Sequence, residues 1–480
     1  MSENTPVRLF RRSRKGTINL FGECRVRYFE YFYMFVMVLY MAQMTGDTGR
    51  MVGSLSGNPI PLLLPIVLTV ILLMRHKIHW GNRNLWLLTG ATTVWSLAIL
   101  IKYNAFTSSS EWSYIFFLYY AIFIAFIHVK VYKRSLFPLY EHIMVWLCRI
   151  SLVMWVLNIL LYHAGLFADW GETNLGRNIL YLYQWLTPDK ARNDTFYLTL
   201  RNPGCSWEPG RFSIMVLLAI FVNLCRKGVR FRKNHNIWWL LAALLSTQST
   251  TGYSIALLMY ALFYVKKFNL KTALGFCAII IPIAVFLTQA EFMGSKISSQ
   301  LQEANVTDEF YEQVEWNAKN VYAEGEYANS LGRFESIYFE WQNFRAAPLL
   351  GYGRNTEHSL FYKDVSTNYS LTGGLVKLIA QYGVFYAALL YLILFLSSAR
   401  IAATYHQRRP YVLFLTIVLS TISYVVWCVP IFTAFWLYGL FSAPLPKGRS
   451  SRVQEVQEFK GSRVRPEGAT STSPGQSEQM

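Results

Sequence analysis

The chain has 480 residues, of which 53% are hydrophobic, 16% aromatic and only 15% charged, with a formal net charge of +18. Soluble domains carry about 25% charged residues, and the apolar residues here cluster in blocks near the roughly 20 that a helix needs to cross hydrocarbon. That excludes a soluble enzyme, a disordered regulator and a secreted disulfide scaffold. It also makes the positive charge a matter of membrane orientation rather than of nucleic acid.

An N-terminal arm, residues 1–27, carries Arg8, Arg11, Arg12, Arg14, Lys15, Arg25 and Arg27. No convincing small-residue cleavage site follows the first apolar block, so that block reads as a retained span rather than a signal peptide. Twelve blocks follow the arm, near 28–45, 60–74, 85–102, 113–129, 142–163, 211–225, 237–248, 252–265, 272–289, 371–398, 411–427 and 430–443. Two thirds of the 45 Lys and Arg residues lie in the arm, in every second connection and in the tail. That alternation predicts an all-α polytopic membrane protein of about twelve transmembrane helices with both termini cytoplasmic. The regions 237–265 and 411–443 each have room for one long helix or two short ones. Basic clusters on both sides demand an even number of crossings, and the breakers Ser249-Thr250-Thr251-Gly252 and Val429-Pro430 fit a division.

The long connections 164–210 and 290–370 then lie outside, within a transmembrane domain spanning 28–443. The second holds twice as many acidic as basic residues, and its Phe334, Ile337, Tyr338, Trp341 and Phe344 recur at helical spacing. They predict an amphipathic helix against the membrane or over a cavity. The polar tail, 444–480, reads as disordered. Six scattered cysteines without CxxC or Cys/His spacing support neither a metal site nor a disulfide framework.

Chemistry-bearing residues gather where these outer connections meet the membrane. Arg201, Arg211, Arg333 and Arg354 would suit a lipid diphosphate, because a guanidinium grips phosphate bidentately; the plainer reading is contact with lipid headgroups. Glu208, in Trp207-Glu208-Pro209-Gly210-Arg211, is a candidate general base, or a carboxylate placed at a helix N-terminus. His358 is a second candidate base, or a solvated loop residue. Arg149 lies inside the fifth block, where a charge needs a cavity, a partner or a path to the surface, and Glu141 and His142 are its nearest candidate partners.

Three segments, RNPGCSWEPGRFSIMVLLAI (201–220), LLSTQSTTGYSIALL (244–258) and LGRFESIYFEWQNFRAAPLLGYGRN (331–355), resemble the Wzy polysaccharide polymerases, which share a broad superfamily with the WaaL-type O-antigen ligases. The third continues into GGLVKLIAQYGVFYAALLYLILF (373–395), whereas residues 1–160 match only as generic spans. The resemblance implies a GT-C-like, inverting, metal-independent glycosyltransferase without a cofactor in a bacterial inner membrane. It would transfer a growing glycan from undecaprenyl diphosphate to a new lipid-linked repeat unit, alongside a flippase and a chain-length co-polymerase. Arg333 matches the family's Gly-Arg arginine for diphosphate binding, with Arg201, Arg211 and Arg354 next; Glu208 or His358 would take the acceptor proton. Ligases typically show Ser-Arg-Gly where this chain has Ser-Thr-Thr-Gly, and a histidine close before an asparagine where His358 and Asn368 stand ten apart. Both departures favour a polymerase. An O-antigen ligase-like transferase is the nearest alternative and a polytopic transporter or flippase the next.

Overall fold

The computed structural model describes residues 16–21, 23–43, 60–164, 183, 201–206, 208–229, 232, 234–264, 333–360, 374–422, 424 and 426–443. The ninth block, most of the loop 164–210, residues 265–332, Asn368 and the tail lie outside the described residues.

The described chain is overwhelmingly helical. A hairpin of β1 (Thr17–Leu20) and β2 (Cys24–Arg27), paired Thr17 with Arg27 and Leu20 with Cys24, leads straight into α1 (Tyr28–Gln43). The arm therefore ends in ordered antiparallel structure. Then come α2 (Ile60–Arg75), α3 (Arg83–Lys102), α4 (Ser109–Tyr132), α5 (Leu136–His163), α6 (Pro209–Lys227), α7 (His235–Ser246), α8 (Thr250–Tyr264), α9 (Arg333–Ala346), α10 (Gly374–Thr404), α11 (Val412–Ser420), α12 (Pro430–Trp436) and α13 (Tyr438–Phe441). Every predicted block among the described residues contains helix. Four stretches are long and apolar enough to cross a membrane by themselves: Arg83–Lys102, Ser109–Leu161, Pro209–Lys227 and Gly374–Thr404. The protein is a helical membrane protein. Large apolar side chains such as Val94, Ile101, Val153 and Phe385 stand exposed on the helices, as surfaces bathed by lipid require.

Local sequence sets the helix ends. The Asn82 side chain accepts the N–H groups of Asn84 and Leu85 at 3.0 and 3.2 Å and starts α3. The Ser108 hydroxyl accepts the N–H of Glu111 and starts α4, with Glu111 in the first turn, where a carboxylate meets the positive end of the dipole. Pro209 opens α6, where no N–H is needed. In 237–265 the helix breaks at 247–249, so Thr250 and Thr251 of the anticipated breaker open α8 instead. Among the described residues of the block 411–427 nine are helical, Val412–Ser420, about 14 Å at 1.5 Å each, a length that does not cross a bilayer unaided.

Side-chain contacts sort the helix ends into two groups. At one end Lys130 donates to Phe441 O at 2.8 Å, Asn84 to Leu440 O at 2.9 Å and Gln407 to Cys225 O at 2.8 Å, while Arg226 meets Glu23 of the hairpin at 2.7 Å. These are the connections rich in Lys and Arg, so this is the basic end. At the opposite, loop end, Lys102 donates to Gly351 O at 2.9 Å and Arg201 to Thr247 O at 3.0 Å. Phe221 of α6 meets Phe263 of α8, and Ser213 meets Ser249, so both helices run from the loop end to the basic end.

The block 371–398 is not one continuous span. Gly383 of α10, at φ 70° and ψ 170°, interrupts the helix, and segment 348–353 fills the break. The N–H groups of Tyr352 and Gly353 donate to Ala380 O and Gln381 O at 3.0 and 2.9 Å, and that of Val384 donates to Pro348 O at 2.8 Å. Trp95 Nε1 is shared between Leu350 O and Tyr382 O at 3.0 and 3.1 Å. The carbonyls freed by the break are thereby satisfied, as non-helical backbone at membrane depth must be. A Cβ on Gly351 would overlap the Gln381 backbone and one on Gly383 the Leu349 carbonyl, so both positions need glycine for space as well as for positive φ.

Arg149 does not pair with Glu141 or hydrogen-bond His142. Its guanidinium lies between the rings of Trp146 and Trp239, 5.2 and 5.3 Å from their centres. Glu141 instead binds Arg226 and accepts from Asn223 at 2.8 Å, and His142 bonds the Tyr31 hydroxyl at 3.1 Å. A cation on a helix reaches back toward the helix N-terminus, which for α5 is the basic end.

Candidate functional site

Two polar groups form at the loop end on either side of the connection 421–429. In the first, Glu208 takes the N-cap position of α6 with extended backbone, but its side chain does not cap the helix. Its carboxylate accepts a hydrogen bond from the Tyr424 hydroxyl instead. The helix-terminus reading of Glu208 thus holds for the backbone and fails for the side chain. Arg211, on the first turn of α6, is only 7% exposed. With Tyr424, Met215, Val426, Val429 and Phe432 it lines a small cavity of about 10 Å³, room for no more than one water molecule. The Glu208 carboxylate and Tyr424 supply its nearby negative and polar charge. Gly210 faces Tyr424 so closely that a Cβ there would strike the phenol oxygen.

In the second group, Arg354 donates to Tyr114 O at 3.4 Å and to Cys428 Sγ at 3.5 Å, and its guanidinium lies 5.9 Å from the centre of the Tyr114 ring. It shares a small cavity with Trp95, Ile99, Glu111 and Leu118. His358 is not a solvated loop residue. Its ring stacks on Tyr103, with centres 3.9 Å apart and planes within 3°, and its Nε2 lies 2.7 Å from Oε1 of buried Glu111. That contact falls off the hydrogen-bond line, since both atoms lack an aligned partner.

The structure therefore brings Glu208 to Arg211, and Arg354 to the neighbourhood of Glu111 and His358. The two candidate bases, Glu208 and His358, fall in different groups. Arg201 fastens the turn between α7 and α8, and neighbouring Asn202 bridges Ser151 and Ser246 at 3.3 and 2.8 Å. Arg333 opens α9, and its side chain lies outside the described residues.

Three polar residues of the loop end escape sequence reasoning. Tyr424 and Glu111 carry no motif; the only hint of Glu111 is its place after a capping serine. The third is Glu340 on α9, wholly buried, accepting from Tyr352 Oη at 3.2 Å and Asn343 Nδ2 at 3.4 Å. Burial pushes its carboxyl up to about 7, against the opposing pull of the Lys377 charge and these two hydrogen bonds. The face of α9 that packs inward is Ser336, Phe339, Glu340 and Asn343, whereas Trp341 of the aromatic stripe is 49% exposed. Among the described residues of the stripe only Trp341 faces outward; Ile337, Tyr338 and Phe344 are half-buried, and the residues between them form the packed face.

No protein-family model matches the chain, and no curated protein sequence matches it either.

Proposed function

We propose that the protein is a membrane glycosyltransferase that polymerises lipid-linked oligosaccharide units at the loop end, corresponding to the periplasmic face of a bacterial inner membrane. The reading adds to the observed helices a full set of twelve spans in a GT-C-like arrangement, with undecaprenyl-diphosphate glycans as substrates and a flippase and a chain-length co-polymerase as partners. The observation that supports it most is the placing of a buried arginine, Arg211, beside a carboxylate, Glu208, on a helix that starts at the loop end, with a second arginine, Arg354, on the far side of one short connection.

Such a pair suits the chemistry. The acceptor hydroxyl oxygen attacks the anomeric carbon and its proton passes to Glu208. The bond from that carbon to the diphosphate oxygen breaks, leaving the electron pair on the diphosphate, where fixed cations stabilise the developing charge. In the resting arrangement Tyr424 occupies Glu208 and the cavity beside Arg211 has room for no more than one water, so substrate binding requires the contact between Tyr424 and Glu208 to open.

Deletion of the gene tests the proposal, with surface glycans run on a gel and plasmid-borne variants used for rescue. Long polymer should vanish while single repeat units still reach their acceptor; wild type should restore the ladder, and Glu208→Gln and Arg211→Lys should restore less than a tenth of it. Loss of single units as well, with lipid-linked glycan accumulating, would make the protein a ligase. An unchanged ladder would return the question to transport.

A further inference from the structure

We propose that the basic end holds a binding site for the phosphate headgroup of an anionic phospholipid. Between the loop after α2, the start of α3 and the end of α4 lies an open cleft of about 370 Å³, lined by His79, Gly81, Asn82, Arg83, Asn84 and Lys130. Its volume lies in the small-molecule range of about 300–1,000 Å³. No acidic residue lines it.

Two cations from different elements converge there. Arg83 is exposed and makes no hydrogen bond or ion pair among the described residues. Lys130 is held by one donated bond to Phe441 O at 2.8 Å and lies 5.4 Å from the centre of the Phe126 ring. An ammonium has three donors, so two remain for a ligand. Asn82 spends its carbonyl oxygen on the N–H groups of Asn84 and Leu85. The helix terminus is therefore already capped, and the site rests on the cleft and its side chains.

The surroundings favour a lipid over free phosphate. Trp80 and Trp86, 40% and 53% exposed, are joined by a bond of 2.8 Å from Trp86 Nε1 to Trp80 O and pack against Phe123. Exposed tryptophans of this kind sit at the headgroup level of a bilayer. One turn and more further along α3, Leu87, Val94 and Ile101 form an exposed apolar surface along which acyl chains can lie while the phosphate engages Arg83 and Lys130. Basic pockets between helix ends bind anionic headgroups in this manner.

The full-length protein, purified in neutral detergent, is titrated with phosphatidylglycerol, phosphatidylcholine or inorganic phosphate while its melting temperature is followed. Wild type should gain several degrees with phosphatidylglycerol and less than one with either of the others. Arg83→Gln with Lys130→Gln should need at least tenfold more phosphatidylglycerol for half the shift, while Arg408→Gln, at the same end outside the cleft, titrates as wild type. Arg83→Gln alone, at an exposed side chain without partners, gives the same reading at reduced size if the double variant does not fold. An unaltered titration in the Arg83 variants, an equal loss in Arg408→Gln, or equal protection by inorganic phosphate overturns the lipid site.

Discussion

Glu340 shows how a single side chain ties α9 to the rest of the loop end. Its carboxyl is fully buried, faces Tyr352 and Asn343, and is held near 7 by desolvation. A carboxyl whose folded value exceeds its unfolded one binds its proton more tightly when folded, so stability falls as pH rises from about 4.5 to about 7. At 1.36 kcal/mol per pH unit the loss from this group is about 3 kcal/mol. Glu340→Gln, which cannot ionise, should melt with wild type near pH 5 and well above it at pH 7.5. A difference that stays constant across that range would remove Glu340 as the titrating group. The basic end carries the opposite case. Burial works against an ionised Glu23, but Arg226 and Lys227 outweigh it and hold its carboxyl below the usual range. Sequence reasoning reached Glu208 and Arg211 because they sit in a Pro-Gly motif at a helix boundary, and Arg354 because it follows a Gly-Tyr-Gly loop motif. It missed Tyr424, Glu111 and Glu340, whose significance depends on partners between 12 and 247 residues away.

Among the elements, α10 departs furthest from a simple span. Its break at Gly383 exposes carbonyls that segment 348–353 and Trp95 must satisfy. Removing the indole N–H leaves Leu350 O and Tyr382 O short of a donor, at about 1–3 kcal/mol for an unmet buried group. Trp95→Phe should therefore lower the melting temperature by several degrees, whereas Trp341→Phe, at a half-exposed position on α9, should leave it within a degree; equal effects would deny the junction its role. Nothing in the run of apolar residues from 374 to 404 announces the break, because Gly383 is the only local signal and an isolated glycine inside a helix is tolerated. Helical spacing in α9 was legible, but its sense was not. Trp341 turns outward while Ser336, Phe339, Glu340 and Asn343 turn inward, because buried polar groups must find partners within the protein and apolar spacing does not show where those partners are.

At the scale of the molecule, the alternation of basic connections was the most informative feature of the sequence. Among the described residues the structure gathers those connections at one end through Lys130, Asn84, Gln407 and Arg226. Charge placement works at this scale because it follows from the membrane and needs no knowledge of packing. It predicts that, in a cysteine-free background, Glu357→Cys reacts with an impermeant thiol reagent added to intact cells, whereas Lys77→Cys reacts only after lysis; the reverse pattern would invert the molecule. Packing, by contrast, was out of reach of periodicity: α6 is buried along almost its whole length, yet its block reads like its lipid-facing neighbours.

The hairpin at the start of α1 carries a consequence for synthesis. Glu23 finds its cation, Arg226, 203 positions later. At about 5–20 residues per second, the ribosome needs roughly 10–40 s to supply that partner after Glu23 has emerged. During that interval the first helices are already in the bilayer while the acidic turn waits in water, unclasped. The contact between the hairpin and α6 can form only after α6 has been threaded with its Arg226 at the same side. A chain that threads α6 backwards leaves Glu23 without the Arg226 and Lys227 cations that hold it in the folded protein.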